Sequence, residues 1–181
     1  MLTVSGSGTV LVKSSPATTE SGPATVVAGA TLAFGSDDAA LPGGSLTVES
    51  GATLAVTNSV TAGEIGGEGT VTLAADSILA FHFSSTSVSP KLAISPDATV
   101  SLPANGSVKV KISADEGLRF RDGAERLKFQ LTTNGKFQGD AVTSGSVVLA
   151  EDTPSWVRGI GVEDGNLYGY TRAPGYSLSV R

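Results

Sequence analysis

The chain has 181 residues, enough for one domain with a real core, and only 16% of them are charged against 40% hydrophobic. That balance excludes a disordered chain, and the absence of cysteine excludes disulfides, thiolate metal sites and cysteine nucleophiles. The net charge of −5 is unevenly spread: residues 1–90 carry −6 and residues 91–181 carry +1. Neither half has the basic footprint of a nucleic-acid binder, and no apolar run approaches a membrane span.

Taken in chain order, Met1-Leu-Thr-Val-Ser-Gly6 lacks the charged start and apolar stretch of a signal peptide, so any export signal is expected outside this fragment. Gly6-Ser-Gly-Thr-Val-Leu-Val12 is echoed by Gly67-Glu-Gly-Thr-Val-Thr-Leu73. Between and beyond them one phrase is written four times, at Gly29–Phe34, Gly51–Val56, Asp76–Phe81 and Asp97–Leu102. Their starts lie 22, 25 and 21 residues apart. A period of that size, made of short β-rich phrases, predicts a solenoid of stacked coils. Each of the last three phrases follows a shorter strand, Leu46–Val48, Val71–Leu73 or Leu92–Ile94. The Gly or Asp between the two strands reads as a corner needing positive φ or a side-chain cap.

Alternate residues of a strand share a face, so stacking at about 4.8 Å predicts two internal columns. Leu32, Leu54, Leu79 and Val100 form one; Phe34, Val56, Phe81 and Leu102 form the next. A parallel β-helix over residues 1–102 is the natural solution, because a single coil cannot bury its own apolar face. A β-sandwich of similar strands is the alternative. The links 35–44 and 61–69 read as turn-rich.

Beyond residue 102 the alternation becomes strict and the outward face charged. Val108, Val110 and Ile112 alternate with Lys109 and Lys111; Leu118 and Phe120 with Arg119 and Arg121; Leu127, Phe129 and Leu131 with Lys128 and Gln130. Asp122-Gly123 is a hairpin signal. Seven of the chain's ten aromatic residues lie beyond residue 115. A solenoid end must be covered, so residues 103–181 read as a C-terminal β cap continuous with the coils.

These phrases resemble the passenger regions of bacterial autotransporter-type surface proteins with autotransporter-associated β-strand repeats. Ser21–Leu32 and Leu41–Leu54 look like the core of that repeat, and Val162–Tyr168, Ala173-Pro-Gly175 and Ser179-Val-Arg181 like its closing segment. The resemblance covers most of residues 6–102 and 125–181. It implies a right-handed parallel β-helix displayed at the bacterial cell surface or secreted. The chain departs from the family in having no outer-membrane barrel after the passenger, and the family lends no shared catalytic residues.

The inventory for catalysis is thin. His82 is the one histidine, and alternation turns it away from Phe81 and Phe83, as a solvent-facing strand residue. A Ser-His-Asp triad would have to use it, and no nucleophile-elbow motif accompanies it. Asp37-Asp38, Asp115-Glu116, Glu151-Asp152 and Glu163-Asp164 read as solvated turns, and Asp76 and Asp97 as corners. No metal-ligand spacing occurs, so no cofactor or metal is expected. Trp156, Tyr168, Tyr170 and Tyr176, with Arg158 and Arg172 nearby to stack on them, form a candidate ligand or partner surface, although such rings more often plug a cap.

Three function classes follow. The favoured one is a non-enzymatic structural and adhesive module at the C-terminal end of a surface solenoid, stabilising the array and nucleating its folding. Its partners would be upstream repeats of the same protein and host glycans or extracellular proteins. The second is a carbohydrate-binding module using the cap aromatics. The third, a polysaccharide-cleaving β-helix enzyme, needs carboxylates gathered on one outer face across adjacent coils.

Overall fold

A computed structural model describes residues 1–12, 22–35, 40–41, 44–56, 63–65, 67–118, 120 and 128–171. Every regular element among them is a strand. The chain begins with β1 (Leu2–Val4), β2 (Thr9–Val12), β3 (Ala24–Val26) and β4 (Thr31–Phe34). Next come β5 (Ala40–Leu41), β6 (Leu46–Val48), β7 (Thr53–Val56) and β8 (Gly63–Ile65). The middle holds β9 (Thr70–Leu73), β10 (Ile78–Phe83), β11 (Leu92–Ile94), β12 (Thr99–Ser101) and β13 (Val108–Ala114). The last part holds β14 (Lys128–Gln130), β15 (Thr132–Thr133), β16 (Val147–Leu149), β17 (Gly159–Glu163) and β18 (Asn166–Tyr170).

Three sheets contain only parallel pairs. Sheet I runs β1-β3-β6-β9-β12, sheet II β16-β13-β10-β7-β4-β2 and sheet III β15-β11-β8-β5. From β4 to β13 the chain visits sheets II, III and I in strict rotation. The early passes keep one register: Thr9 stands opposite Thr31, and Thr31 opposite Thr53.

Corner chemistry explains how each pass enters sheet II. Gly29 (φ 80°), Gly51 (φ 73°) and Asp76 (φ 62°) each stand two residues before their strand, in the left-handed region that glycine tolerates best. They also stack: Gly29 N–H donates to the Gly51 carbonyl at 3.0 Å, Gly51 to Asp76 at 3.2 Å, and Asp76 to Ser107 at 2.8 Å. Just past each corner a small buried residue, Ala30, Ala52 or Ser77, lets the backbone turn close to the core.

Leu32, Leu54 and Leu79 stand opposite one another and are buried, as do Phe34, Val56 and Phe81. The fourth members differ from the sequence expectation. Val110 follows Leu79 and Ile112 follows Phe81, whereas Val100 lies in sheet I opposite Val71, and Leu102 lies just after that strand. Both displaced residues are half-buried against the core. Leu92–Ile94, expected beside Val71–Leu73, instead joins sheet III opposite Gly63–Ile65. The reason is the rotation itself: the strand that follows β4, β7 or β10 of sheet II enters sheet III each time, so Leu92–Ile94 takes sheet III and the next strand falls to sheet I. Asp97 accordingly lacks the positive φ of the sheet II corners, and Gly106 (φ 81°) supplies that turn before Val108.

Parallel stacking therefore does not stop at residue 102. β13 and β16 extend sheet II and β15 extends sheet III, so the alternating Val108–Ile112 segment belongs to the parallel sheets. The distinct element is sheet IV, the antiparallel order β14-β18-β17. Its hairpin turns at Asp164-Gly165 (φ 49° and 71°), a two-residue turn with both central residues left-handed. The Asp122-Gly123 signal lies outside the described residues.

Candidate functional site

Sheet IV has two faces with different work. Inward it turns Phe129, Ile160 and Leu167 onto the end of the core. Gly169, opposite Phe129, has no side chain because the Phe129 ring stands 2.3 Å from where a Cβ would sit. Phe83, fully buried at the end of β10, meets Phe129 edge-on at 5.0 Å, Phe120 at 5.8 Å and Trp156 at 5.7 Å between ring centroids. Thr132 Oγ1 accepts the Leu167 N–H at 2.9 Å, and Leu131 N–H donates to the Leu167 carbonyl at 2.8 Å, which ties sheet IV to sheet III.

Outward the sheet carries Tyr168 and Tyr170 at alternate positions of β18. Tyr168 stands between Gln130 and Gly161, and Tyr170 between Lys128 and Gly159. The Tyr170 ring lies across Gly161: a Cβ there would meet its Cε2 at 2.9 Å and its Oη at 3.0 Å. Its hydroxyl donates to Glu163 Oε1 at 2.6 Å. Lys128 Nζ pairs with Glu163 Oε2 at 2.5 Å and stands 4.9 Å from the Tyr168 ring centroid.

The electrostatics follow from that contact set. Burial first, and then the Glu163 bond, push the Tyr170 hydroxyl up to about 12. The bond to Lys128 and then that from Tyr170 hold Glu163 below the usual carboxylate value, while Glu163 holds Lys128 above the usual amine value. Glycine beneath, carboxylate at the edge and ammonium on the neighbouring ring hold two tyrosines in one geometry. The face can stack on a flat apolar surface rimmed by hydroxyls.

Of the six candidate surface residues, the structure brings together Tyr168 and Tyr170. The ring contacts of Trp156 are with Phe83, Phe120 and Phe129, which places it in the packing under the sheet. Arg158 is exposed and its backbone N–H donates to the Tyr170 carbonyl at 2.7 Å, but the cation on a tyrosine ring is Lys128. Arg172 and Tyr176 lie outside the described residues. Lys128 and Glu163 were missed, because a residue of one strand and another 35 positions later share no local signal. The alternation Lys128-Phe129-Gln130 did predict which way each side chain points.

Elsewhere the outer face of sheet II brings His82 opposite Ser113. His82 Nδ1 is 3.0 Å from Ser113 Oγ and Nε2 is 3.0 Å from Asp115 Oδ1, a bridge across β10 and β13 that the sequence did not announce. The carboxylates of the expected turn pairs are engaged singly: Asp115 by His82, Asp152 by Lys111 and Glu163 by Lys128, while Asp37-Asp38 lies outside the described residues. Among the described residues no three His, Asp or Glu side chains gather as a metal-ligand set. No helix there is long and apolar enough to cross a membrane. Comparison with protein-family models, curated proteins and solved structures found no match.

Proposed function

We propose that the chain is a structural and adhesive module: a right-handed parallel β-helix, closed at its C-terminal end by sheet IV, within a surface-displayed or secreted bacterial solenoid protein. One observation carries this reading. Strands 22 residues apart pair in constant register at the N-terminal side, while at the other end an antiparallel sheet turns Phe129, Ile160 and Leu167 onto the open core. An array built from identical passes propagates along one axis and needs one end covered. Upstream repeats of the same protein would continue the passes, and the resemblance of the phrases to autotransporter passengers supports display outside the cell.

In this reading the cap nucleates the array. The test is hydrogen exchange on the whole chain and on Phe129→Ala. Loss of protection in β4 and β7, far from the substitution, is the expected result; unchanged protection there would sink the nucleating role.

A second reading is favoured by the tyrosine face. Tyr170, packed on Gly161 and held by Glu163, is a preorganised ring of the kind that stacks on sugars. Glycan binding that Tyr170→Ala abolishes in a folded protein would establish it, and a negative glycan screen would remove it.

A further inference from the structure

A cleft of about 290 Å³ opens along β14. It is lined by Ser87, Val88, Ser89, Lys91, Lys128, Phe129 and Gln130, so two lysines and several hydrogen-bonding groups surround one apolar ring and one valine. Gln130 commits its Nε2 to the Thr132 carbonyl at 2.8 Å, so what it offers a ligand is its acceptor oxygen.

Lys91 is the informative residue. The other described lysines are engaged: Lys109 by Asp76, Lys111 by Asp152, Lys128 by Glu163 and Lys136 by the Pro96 carbonyl. Lys91 alone has no partner among the described residues, and it faces this cleft. A ligand that fills the cleft displaces water from that ammonium. A neutral ligand leaves it uncompensated, whereas a carboxylate forms a charge-assisted bond about twice as strong as a neutral one.

Lys128 and Gln130 border both features, since they line the cleft and stand opposite Tyr170 and Tyr168 on the adjoining strand. The cleft and the tyrosine face therefore adjoin at β14. We propose that this surface binds an acidic saccharide, with one sugar ring stacked on Tyr170 and the carboxylate of a neighbouring uronic acid paired with Lys91. The inference rests on the sugar-stacking reading of the tyrosine face and adds the charge of the ligand.

The experiment is calorimetric titration of the whole 181-residue chain with oligogalacturonate and hyaluronan fragments, each beside its neutral methyl ester. The expected result is binding of at least one acidic oligosaccharide, with its methyl ester about tenfold weaker. Lys91→Ala removes that preference without weakening the ester, and Tyr170→Ala weakens both forms. Lys91 is half-buried and unpartnered, so its truncation leaves the core intact. Equal affinity for acid and ester, or acid binding indifferent to Lys91→Ala, overturns the acidic assignment while keeping the stacking face. No binding of any of the four probes overturns both.

Discussion

Gly161 and Tyr170 fit one another: the ring occupies the space that any side chain at position 161 would need, with Cε2 2.9 Å and Cζ 3.3 Å from the Cβ position. The neighbouring tyrosine stands directly opposite the same glycine on the paired strand. Gly161→Val is therefore expected to lift the Tyr170 ring and break its bond to Glu163. The cost is about 1.5–3 kcal/mol, that of one lost charge-assisted hydrogen bond. Denaturant unfolding of Gly161→Val beside Tyr170→Phe checks it; two variants that unfold as the wild type does would separate the ring from the glycine.

The same tyrosine makes stability depend on alkaline pH. The folded protein holds the Tyr170 proton more tightly than the unfolded chain, at about 12 against an ordinary 10.0. That contribution is complete below pH 10 and is lost as pH rises through about 12. Across this window the wild type should lose stability more steeply than Tyr170→Phe. Parallel urea-midpoint profiles for the two proteins would contradict the linkage.

The internal column offers a harsher test. Leu54 and Val110 both lie in sheet II, on either side of Leu79, and both are buried. Leu54→Asp and Val110→Asp each bury an unpaired charge, so each should cost at least about 3 kcal/mol. If thermal melting of Val110→Asp matched that of the wild type, β13 would not be part of the stack.

Taken alone, the 181-residue chain should associate through the edge formed by residues 1–12. Leu2, Val10 and Leu11 are 42%, 44% and 45% exposed, on β1 and β2, the outermost strands of sheets I and II. Residues 1–12 contain no charged side chain, so this edge lacks the usual protection against pairing. Sedimentation velocity over a concentration series is expected to show self-association that Leu11→Lys suppresses. A wild-type chain that stays monomeric throughout the series would refute this.

Much of the parallel-sheet architecture was legible because its signals are local. The Thr31–Phe34 and Thr53–Val56 phrases announce their strands, their inward residues and their mutual register, and Gly29, Gly51 and Asp76 announce the corners. Side-chain alternation and the steric limits on positive φ are properties of a few consecutive residues, so they are written where they act. The sheet a strand enters is another matter. Asp97–Leu102 copies the phrase of sheet II, yet Thr99–Ser101 pairs in sheet I. Which partner edge lies open when a strand arrives depends on everything already stacked. The binding face follows the same rule. Tyr168 and Tyr170 could be found by their spacing, but Glu163, Lys128 and the Lys91 cleft meet them across three strands and a loop. Short-range chemistry thus settled strands, faces and corners, whereas the neighbours of each side chain came from folding, because pairing energies are realised between segments far apart in the chain.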